Sequence, residues 1–358
     1  MKEKKTKRRV TRREALAMLK SEDLLELGAR ADSLRKKLHP EGTVTFVVDR
    51  NINYTNVCIN KCGFCAFWRN ADHPEAFLID KDDLFMKIQE TIDLGGTQIL
   101  LQGGLHPDLG IDYYIDLLTA IKERFDITVH GFSPPEIRYI SDSARCSVPE
   151  TLKILKEAGL DSIPGGGAEI LSDRIRRKMS PKKLSSSEWL DVMEQAHELG
   201  MRTTATMMFG AIEDPEDIVQ HLDSIRTLQD KTGGFTAFIP WSFQPGNTAL
   251  ARNAREAGRA LESTVTAVEY LKMLSVSRLY LDNIRNIQAS WVTQGLKLAQ
   301  VALRFGANDF GSTMIEENVV AAAGVTHRVS KEDIILAIKN ANFSPAQRDT
   351  YYNIVVWH

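Results

Sequence analysis

From residue 44 onward, the sequence alternates between short apolar runs and amphipathic stretches long enough to form helices. Apolar runs separated by helices of this length predict βαβ units, whose strands pair in parallel. Seven such runs nearly complete an α/β barrel of the TIM type, and we expect an eighth strand near residues 307–310. The seven runs comprise residues 45–48, 98–101, 127–132, 161–163, 202–209, 235–242 and 286–291.

The segments before and after the barrel have different patterns. Thr11 with Glu14 forms a capping-box pattern that begins a first helix, and a second helical stretch should end before His39, which precedes a proline. Ser330 with Asp333 marks the start of the last helix. The predicted parts are a basic arm with two helices over 1–42, a barrel over 43–311 containing a long loop over 245–259, and a helical extension packed on the barrel over 312–358.

Composition and charge exclude several classes of protein. With 43% hydrophobic and 26% charged residues, the chain has the composition of a globular protein that buries a core. A net charge of -2 provides no overall field for nucleic acid, and no apolar run reaches the roughly 18 residues of a membrane span. We interpret the eight Lys and Arg residues of segment 2–13 as a solvated arm. We expect a cytoplasmic protein without membrane insertion or a nucleic-acid partner.

Catalytic groups of an α/β barrel lie at the carboxyl ends of its strands. Glycine-rich and polar clusters follow the predicted strands of this chain at several places. These clusters are Gln102-Gly103-Gly104, Ser133-Pro134-Pro135, residues 165–169, Gly210, Gln244-Pro245 and residues 291–294. Because the carboxyl ends of parallel strands share one face of a barrel, the clusters predict one site at its mouth.

Three of the four cysteines, Cys58, Cys62 and Cys65, lie within eight positions. Four cysteines are too few for a disulfide scaffold, and thiolates are soft ligands that select zinc or iron–sulfur clusters. A structural zinc site would need a fourth ligand, for which His73 is the nearest candidate. A [4Fe–4S] cluster usually takes four cysteines, so three would leave one iron open to a substrate. The spacing leaves both interpretations open, and Cys146 has no evident partner.

The motif from Cys58 to Cys65, with an aromatic residue directly before the last cysteine, resembles that of the radical S-adenosylmethionine (SAM) enzymes. The resemblance implies that the three cysteines hold a [4Fe–4S] cluster whose open iron binds the amino and carboxylate groups of SAM. Reduction of such a cluster cleaves SAM to a 5′-deoxyadenosyl radical. The resemblance therefore also implies an electron donor such as flavodoxin or ferredoxin.

Further segments resemble the branch of this superfamily that makes menaquinone and the deazaflavin cofactor. They comprise residues 49–57, 96–107, 132–137, 162–170 and 203–210. Within that branch, residues 289–295 and 311–320 most resemble the cyclic dehypoxanthinyl futalosine synthases of the futalosine pathway. The resemblance covers about residues 43–348, and the chain departs from it in the basic arm and at Trp68, where tyrosine is more usual.

The resemblance implies SAM-binding roles for residues of the cysteine loop and of the strand ends. Phe64 would pack against the adenine, or it would belong to the core. The glycine pair after the second predicted strand would offer its backbone to the methionine moiety, or simply form a turn. Glu169 would accept from the ribose hydroxyls, or interact with a helix N-terminus. The SAM-binding set comprises Phe64, Gln102, Gly103, Gly104, Ser133, Glu169 and Thr206.

The implied substrate, dehypoxanthine futalosine, carries a ribose and a benzoate. By family likeness, removal of hydrogen from C4′ of the ribose leads to closure onto the aromatic ring, and loss of an electron and a proton restores aromaticity. His106 is the candidate for proton transfer, because histidine titrates near neutral pH. Candidates for substrate binding, each of which could equally be a surface or capping residue, are Thr293, Gln294, Asn308, Thr313, Glu316, Glu317 and Asn318.

Three other functions remain as alternatives. Two sibling enzymes, aminofutalosine synthase and the enzyme that joins tyrosine to ribitylaminouracil, have similar cluster loops. A radical SAM enzyme that modifies RNA would use the basic arm. A zinc-binding module without enzymatic activity would contain zinc and no inorganic sulfide.

Overall fold

The computed structural model describes residues 8–258, 261, 265–325 and 327–358. The predicted basic arm lies outside the described residues up to position 7, and the last residue of the predicted loop over 245–259 lies outside them as well. The strands are β1 (Thr43–Val47), β2 (Asp49–Asn53), β3 (Gln98–Gln102), β4 (Thr128–Gly131), β5 (Ser162–Ile163), β6 (Arg202–Phe209), β7 (Phe235–Ser242), β8 (Asn286–Ile287), β9 (Asp309–Ser312), β10 (Ser344–Arg348) and β11 (Ile354–Trp357). The helices are α1 (Arg12–Lys20), α2 (Leu24–Leu38), α3 (Lys81–Asp93), α4 (Ile111–Arg124), α5 (Pro134–Ala144), α6 (Val148–Ala158), α7 (Asp173–Met179), α8 (Ser186–Glu198), α9 (Pro215–Thr232), α10 (Ala249–Glu256), α11 (Ala267–Tyr280), α12 (Trp291–Gln294), α13 (Leu296–Ala302) and α14 (Lys331–Asn340).

Strands β2 to β8 form a parallel sheet in chain order, with helices between them. Strand β9 joins its far edge, because the Asn308 N–H donates to the Ile287 carbonyl over 3.1 Å and the Ala289 N–H donates to the Asp309 carbonyl over 2.9 Å. Strand β9 also pairs in parallel with β1, which continues into β2 after the single residue Val48. The sheet thus returns to the segment where it began, which confirms the predicted TIM-type barrel. All seven predicted runs contain strands, and the eighth begins two residues later than expected. The first run, 45–48, matches β1, however, whereas the seven-stranded sheet begins with β2, which was not predicted.

Two helices precede the barrel, as predicted. The Thr11 hydroxyl accepts from the Glu14 N–H over 3.2 Å, and the Glu14 carboxylate accepts from the Thr11 N–H over 2.8 Å, so the predicted capping box begins α1. The Asp23 side chain caps α2, which ends at Leu38, just before the predicted breaking point at His39. These helices pack against α9 and α11 on the outside of the barrel.

The segment after β9 contains more than the predicted helix. Helix α14 begins at the predicted capping box, where the Ser330 hydroxyl accepts from the Asp333 N–H over 3.1 Å. After this helix, β10 pairs in parallel with β1, and β11 pairs antiparallel with β10. Local patterns do not reveal these strands, since Ser344 pairs with Thr43 from the other end of the chain. The extension therefore adds two strands beside β1 in addition to the predicted helix.

The predicted long loop over 245–259 contains a helix. The Thr248 hydroxyl accepts from the Ala251 N–H over 3.3 Å and so caps α10. Ala251 and Ala254 are buried, which gives the short helix an apolar side despite its polar composition. Among the described residues, no helix combines the length and the hydropathy needed to cross a membrane.

Candidate functional site

The barrel encloses a cavity of about 290 Å³. Because the pleat of a strand turns every second side chain to the same face, β2 and β3 each contribute alternate residues to it. These residues are Asp49, Asn51, Gln98, Leu100 and Gln102. Further lining residues come from β4, β6 and β7, from the loop after β5, and from segments 288–293, 310–320 and 348–352. The cavity lies inside the strand ring, beneath the mouth at which α/β barrels bind their ligands.

The cysteine loop follows β2 and is held by backbone hydrogen bonds on two sides. The Gly63 N–H donates to the Met179 carbonyl over 2.8 Å, and the Gly63 carbonyl accepts from the Leu250 N–H over 2.7 Å. A Cβ at Gly63 would come within 3.2 Å of the Met179 carbonyl oxygen, so a glycine suits this close approach. All three cysteines of the loop carry free thiols and are at least partly buried.

The three thiols lie close enough to influence one another. Burial raises the pKa of the Cys62 thiol to about 12, the Lys183 ammonium lowers it, and the other two cysteines raise it further. In the described part of the chain, no group of three or more His, Cys, Asp or Glu side chains is arranged to hold a single metal ion. Three thiols around one loop fit the donor set of an iron–sulfur cluster, and metal binding deprotonates a coordinating thiol.

The Gly103-Gly104 turn after β3 packs directly against the cysteine loop. A Cβ on Gly104 would overlap the Val57 carbonyl and come within 2.9 Å of the Cys58 Cβ. A Cβ on Gly103 would overlap the ring of Tyr54. Only glycine permits such an approach of backbone to backbone. The predicted glycine pair therefore brings the end of β3 against the loop that carries the first cysteine.

Glu169 lies at the end of the glycine-rich loop after β5 and lines the cavity. Its Oε1 accepts from the Lys183 Nζ over 3.0 Å, and its Oε2 lies 3.7 Å from the Arg176 Nη1. Within the described residues, this buried Oε2 has no hydrogen-bond partner. A buried acceptor without a donor is costly unless a ligand supplies one. The Glu169 carboxylate thus fits the expected acceptor for a ribose hydroxyl.

Lys183 was not predicted from the sequence, and it connects Glu169 with the cysteine loop. Its Nζ lies 5.2 Å from the centroid of the Phe64 ring. Burial lowers the pKa of Lys183, but the Glu169 carboxylate and Cys62 raise it by more, so the side chain stays a cation. A buried ammonium, a carboxylate and an aromatic ring therefore adjoin the thiols. The Lys182-Lys183 pair carries no motif that would have indicated this role.

The other predicted SAM contacts divide into two groups. Gln102 and Thr206 line the cavity, and the Thr206 hydroxyl donates to the Gly165 carbonyl over 2.6 Å. Ser133 is not among the lining residues that the structure describes, and its hydroxyl donates to the Glu136 Oε2 over 2.5 Å at the start of α5. For a ligand, the Ser133 hydroxyl retains acceptor capacity only.

Of the predicted substrate contacts, Thr293 and Glu317 line the cavity in the described structure. The hydroxyls of Thr293 and Ser290 share a hydrogen bond of 2.9 Å. Burial raises the pKa of Glu317, whose carboxylate accepts from the backbone N–H groups of residues 319–321. The other candidates form hydrogen bonds within the protein. Three of them accept: Asn308 from Arg278, Thr313 from the Asp49 N–H, and Glu316 from Lys87. The other two donate: Asn318 to Asn53, and Gln294 to Ser242.

His106, the predicted proton carrier, lies in the turn between β3 and α4 and is not among the described lining residues. Its Nδ1 accepts from the Asp108 N–H over 3.2 Å, and its carbonyl accepts from the Tyr139 hydroxyl over 2.8 Å. The ring is therefore engaged in the local turn. Its role in proton transfer stays a prediction.

The floor of the cavity holds a polar network that the sequence did not predict. The Arg348 guanidinium donates to both carboxylate oxygens of Asp309, over 2.6 and 3.1 Å. The Gln98 amide nitrogen donates to Asp49 over 2.6 Å, and the Gln98 amide oxygen accepts from the Thr350 hydroxyl over 2.5 Å. Gln98 and Thr350 are 252 positions apart, so no local spacing reveals the network. Asp49 opens a run of three polar residues over 49–51, and such a run carries no strand alternation that would have indicated its place in the network.

The sequence profile of the radical SAM superfamily matches residues 52–225, which include the cysteine loop. The profile of the CofH/MqnC C-terminal region matches residues 232–358. The chain is 47% identical over 348 residues to the cyclic dehypoxanthine futalosine synthase of Halalkalibacterium halodurans. The aligned region covers 97% of this chain and 92% of that protein. It is also 46% identical over 316 residues to the 5-amino-6-(D-ribitylamino)uracil--L-tyrosine 4-hydroxyphenyl transferase of Methanopyrus kandleri. That aligned region covers 87% of this chain and 84% of the transferase.

The fold has a counterpart among solved structures. The crystal structure of methylornithine synthase superposes with a TM-score of 0.71, at 19% identity and with 95% of each chain covered. At this identity, the similarity concerns the fold alone.

Proposed function

This chain belongs to the radical SAM superfamily and to its CofH/MqnC branch, and from that premise we propose that it converts dehypoxanthine futalosine to its cyclic product in menaquinone synthesis. The observation that carries the proposal is the 47% identity to a cyclic dehypoxanthine futalosine synthase along 97% of the chain. In the proposed reaction, a hydrogen atom leaves C4′ of the ribose, that carbon bonds to the aromatic ring, and the ring then loses a proton to solvent and an electron to a one-electron acceptor. The product therefore contains two hydrogen atoms fewer than the substrate.

Membership of the superfamily implies a [4Fe–4S] cluster and SAM as cofactors. Cys58, Cys62 and Cys65 are the residues that would hold the cluster, and three thiols leave one iron without a protein ligand. Together these cofactors supply a 5′-deoxyadenosyl radical when the cluster is reduced. The chain itself contributes binding, orientation and exclusion of water.

Residues around the cysteine loop would bind the nucleoside part of SAM. Glu169 offers an unpaired buried oxygen to a ribose hydroxyl, and Gln102 and Thr206 line the cavity nearby. Phe64 packs beside Lys183 and would cover the adenine. A fixed ammonium next to the thiols would also favour the carboxylate of SAM, because opposite charges attract strongly in a buried site.

The substrate would lie deeper in the cavity. Leu100, Ile239 and Phe310 provide apolar surface for an aromatic ring, whereas Thr293 and Glu317 remain our candidates for polar contacts. Burial inside the barrel would keep solvent away from a carbon radical and would hold the ribose against the ring. Because binding already fixes the ribose against the ring, the cyclisation step loses less conformational entropy than it would in the free substrate.

We also propose that flavodoxin or ferredoxin reduces the cluster, in the cytoplasm. Lys61 of the cysteine loop is exposed, as are Arg177 and Lys178 beside Met179, which bonds to Gly63. The exposed charges of these three cations would offer a basic surface to an acidic electron carrier. Reduction by the carrier should slow as ionic strength rises, whereas reduction by dithionite should not slow to the same extent.

A second candidate function is the joining of tyrosine to 5-amino-6-(D-ribitylamino)uracil. The 46% identity to the Methanopyrus kandleri transferase favours it. Both reactions need the same cofactors and a hydroxyl-bearing substrate, so the cysteine loop does not distinguish them. Aminofutalosine synthase is a further sibling that a substrate panel includes.

The test is a substrate panel with protein reconstituted without oxygen. With SAM and a reductant, we expect dehypoxanthine futalosine to lose two hydrogen atoms by mass, with release of 5′-deoxyadenosine and methionine. Turnover of tyrosine with ribitylaminouracil, and none of dehypoxanthine futalosine, would instead establish the second candidate. Zinc without inorganic sulfide in the same preparation would contradict both functions.

A further inference from the structure

Asn51 occupies the middle of β2 and points into the barrel cavity. Only 3% of the residue is exposed to solvent, and the residue lines the cavity. Among the described residues, its side-chain oxygen has no hydrogen-bond partner. In the sheet it lies beside Leu100 of β3, so it stands between the level of Gln98 and the level of Gln102. Its backbone N–H donates to the Glu316 carbonyl over 3.3 Å, which fixes the strand but leaves the side chain available.

The Asn51 carboxamide makes no hydrogen bond with any residue that the structure describes. Its Oδ1 is fully enclosed and unpaired. A carboxamide carries two donors and an acceptor, and leaving such groups unpaired in a buried site is unfavourable. An orphaned buried polar group in a native protein calls for an explanation, and a ligand in the cavity that Asn51 lines would supply its partner.

The polar neighbours of Asn51 on the same face of β2 are both satisfied. One step below, the Asp49 carboxylate accepts from Gln98 over 2.6 Å and from Ser312. One step above, the Asn53 carboxamide donates to the Gln102 carbonyl and accepts from Asn318, each over 3.3 Å. The strand therefore pairs the inward polar groups at both of its ends within the protein. The unpaired group lies at the middle level, where a ligand in the cavity would contact the wall.

We propose that Asn51 binds a hydroxyl of the substrate's sugar and thereby distinguishes it from deoxy analogues. A carboxamide is neutral and both donates and accepts, which matches a hydroxyl and gives no advantage to a charged group. The inference rests on the proposed function, because the sugar belongs to the substrate of that reaction. The ribose of SAM offers the same chemistry, and its proposed partner is Glu169.

Calorimetric titrations of Asn51→Ala and of the similarly sized Asn51→Leu test the inference. The ligands are dehypoxanthine futalosine, its 2′-deoxy and 3′-deoxy analogues, and SAM. We expect both variants to bind dehypoxanthine futalosine about tenfold more weakly, and to bind SAM as the unaltered protein does. One of the two deoxy analogues should bind the unaltered protein about tenfold more weakly, with no additional loss in either variant, because the same hydrogen bond is already absent.

Asn286→Ala is the matched control. The Asn286 carboxamide is also buried on a barrel strand, but it donates to the Thr236 carbonyl over 2.9 Å and accepts from Asn308 over 3.0 Å. Its removal should lower the melting temperature and leave the affinity for dehypoxanthine futalosine unchanged. Asn51→Ala should show the opposite pattern, since its side chain contributes no bond to the unliganded fold.

Unchanged affinity of the Asn51 variants for dehypoxanthine futalosine would overturn the inference, and so would weakened binding of SAM alone. If the unaltered protein does not bind dehypoxanthine futalosine, the proposed function fails independently. The same variants are then titrated with 5-amino-6-(D-ribitylamino)uracil, whose side chain is a polyol. A tenfold loss there would support recognition of a hydroxyl by Asn51, and unchanged affinity would refute it.

Discussion

The two ends of the barrel cavity differ in how completely their polar groups are paired. At the floor, Asp309 accepts from both sides of the Arg348 guanidinium and from the Thr45 hydroxyl over 2.5 Å. At the mouth, the Glu169 Oε2 is buried without a hydrogen bond, and the three loop cysteines carry free thiols. Both ends are built from buried ionisable side chains, but only the floor satisfies them within the described protein.

This difference separates scaffold from binding site. A fully paired buried network stabilises one arrangement of the strands, and removal of one partner leaves an uncompensated charge. The Glu169 Oε2 and the thiols at the mouth make no such contribution, because the described protein supplies no hydrogen-bond donor to the oxygen and no disulfide partner to the thiols. Substitutions at the floor should therefore change the stability of the fold, whereas substitutions at the mouth should change binding and turnover.

The largest effect is expected at the mouth, from Cys62→Ala. With two thiols left, the loop should no longer hold a [4Fe–4S] cluster, so iron and sulfide content should fall and both 5′-deoxyadenosine and cyclic product should disappear. Cys146→Ala, in the turn between α5 and α6, is the control and should leave cluster content and turnover unchanged. Continued release of deoxyadenosine by Cys62→Ala would show that the loop does not hold the reactive cluster.

At the floor, Arg348→Met should destabilise the fold by about 3–5 kcal/mol, because it leaves the buried Asp309 carboxylate without its cation. Urea denaturation measures this loss. The exposed pair of Arg138 with Asp142 provides the control, and Arg138→Ala should change stability very little.

A double variant sharpens the same comparison. Arg348→Met combined with Asp309→Leu removes both charges, so it should recover part of the stability that the single variant loses. If Arg348→Met retains full stability but binds substrate poorly, the floor belongs to the binding site and the contrast between the two ends fails.

Glu169→Gln should weaken the binding of SAM by roughly tenfold to a hundredfold, the loss expected for hydrogen bonds to a charged group. Glutamine keeps the shape of the side chain but loses the charge that Oε2 offers to a hydroxyl. Glu75, an exposed carboxylate paired with Arg69 near the cysteine loop, is the control. Equal SAM affinities for Glu169→Gln and Glu75→Gln would mean that the orphaned oxygen does not contact the nucleoside.

The parts of the molecule that could be predicted from the sequence are those encoded locally. Runs such as 202–209 can be predicted as strands because they are short and alternate with amphipathic stretches long enough to form helices. The cysteine loop is recognisable because its three thiols lie within eight positions. The glycine pair after β3 is also recognisable locally, because its two residues are adjacent in the sequence and a close approach of the backbone requires glycine.

The parts that could not be predicted depend on contacts between distant segments. Strand β10 pairs with β1, although Ser344 and Thr43 lie near opposite ends of the sequence. This pairing places Arg348 within hydrogen-bond distance of Asp309 on β9, the other neighbour of β1. Asn308 shows the converse. Its place in a late loop suggested a substrate contact, but its carboxamide accepts from Arg278 over 2.7 Å and from the Ile287 N–H over 2.9 Å at the closing strand.

His130 allows a smaller test at the level between the two ends, beside Leu100 and hence near Asn51. Its Nδ1 lies 2.9 Å from the Ser162 hydroxyl, and burial lowers its pKa to about 3. The folded protein therefore keeps the imidazole neutral, whereas the unfolded chain protonates it below its ordinary pKa of 6.5. The contribution to stability is complete above that value and is lost as pH falls towards the folded pKa.

Comparison of the unaltered protein with His130→Asn isolates this contribution. Between about pH 7.5 and pH 5.5, the unaltered protein should lose about 1.4 kcal/mol more stability than the variant, since the lower pH is about one unit below the unfolded pKa. Urea titrations of both proteins at the two pH values measure the difference. Parallel losses would mean that the folded protein accepts a proton at His130, so the middle level would behave like the unpaired mouth rather than like the closed floor.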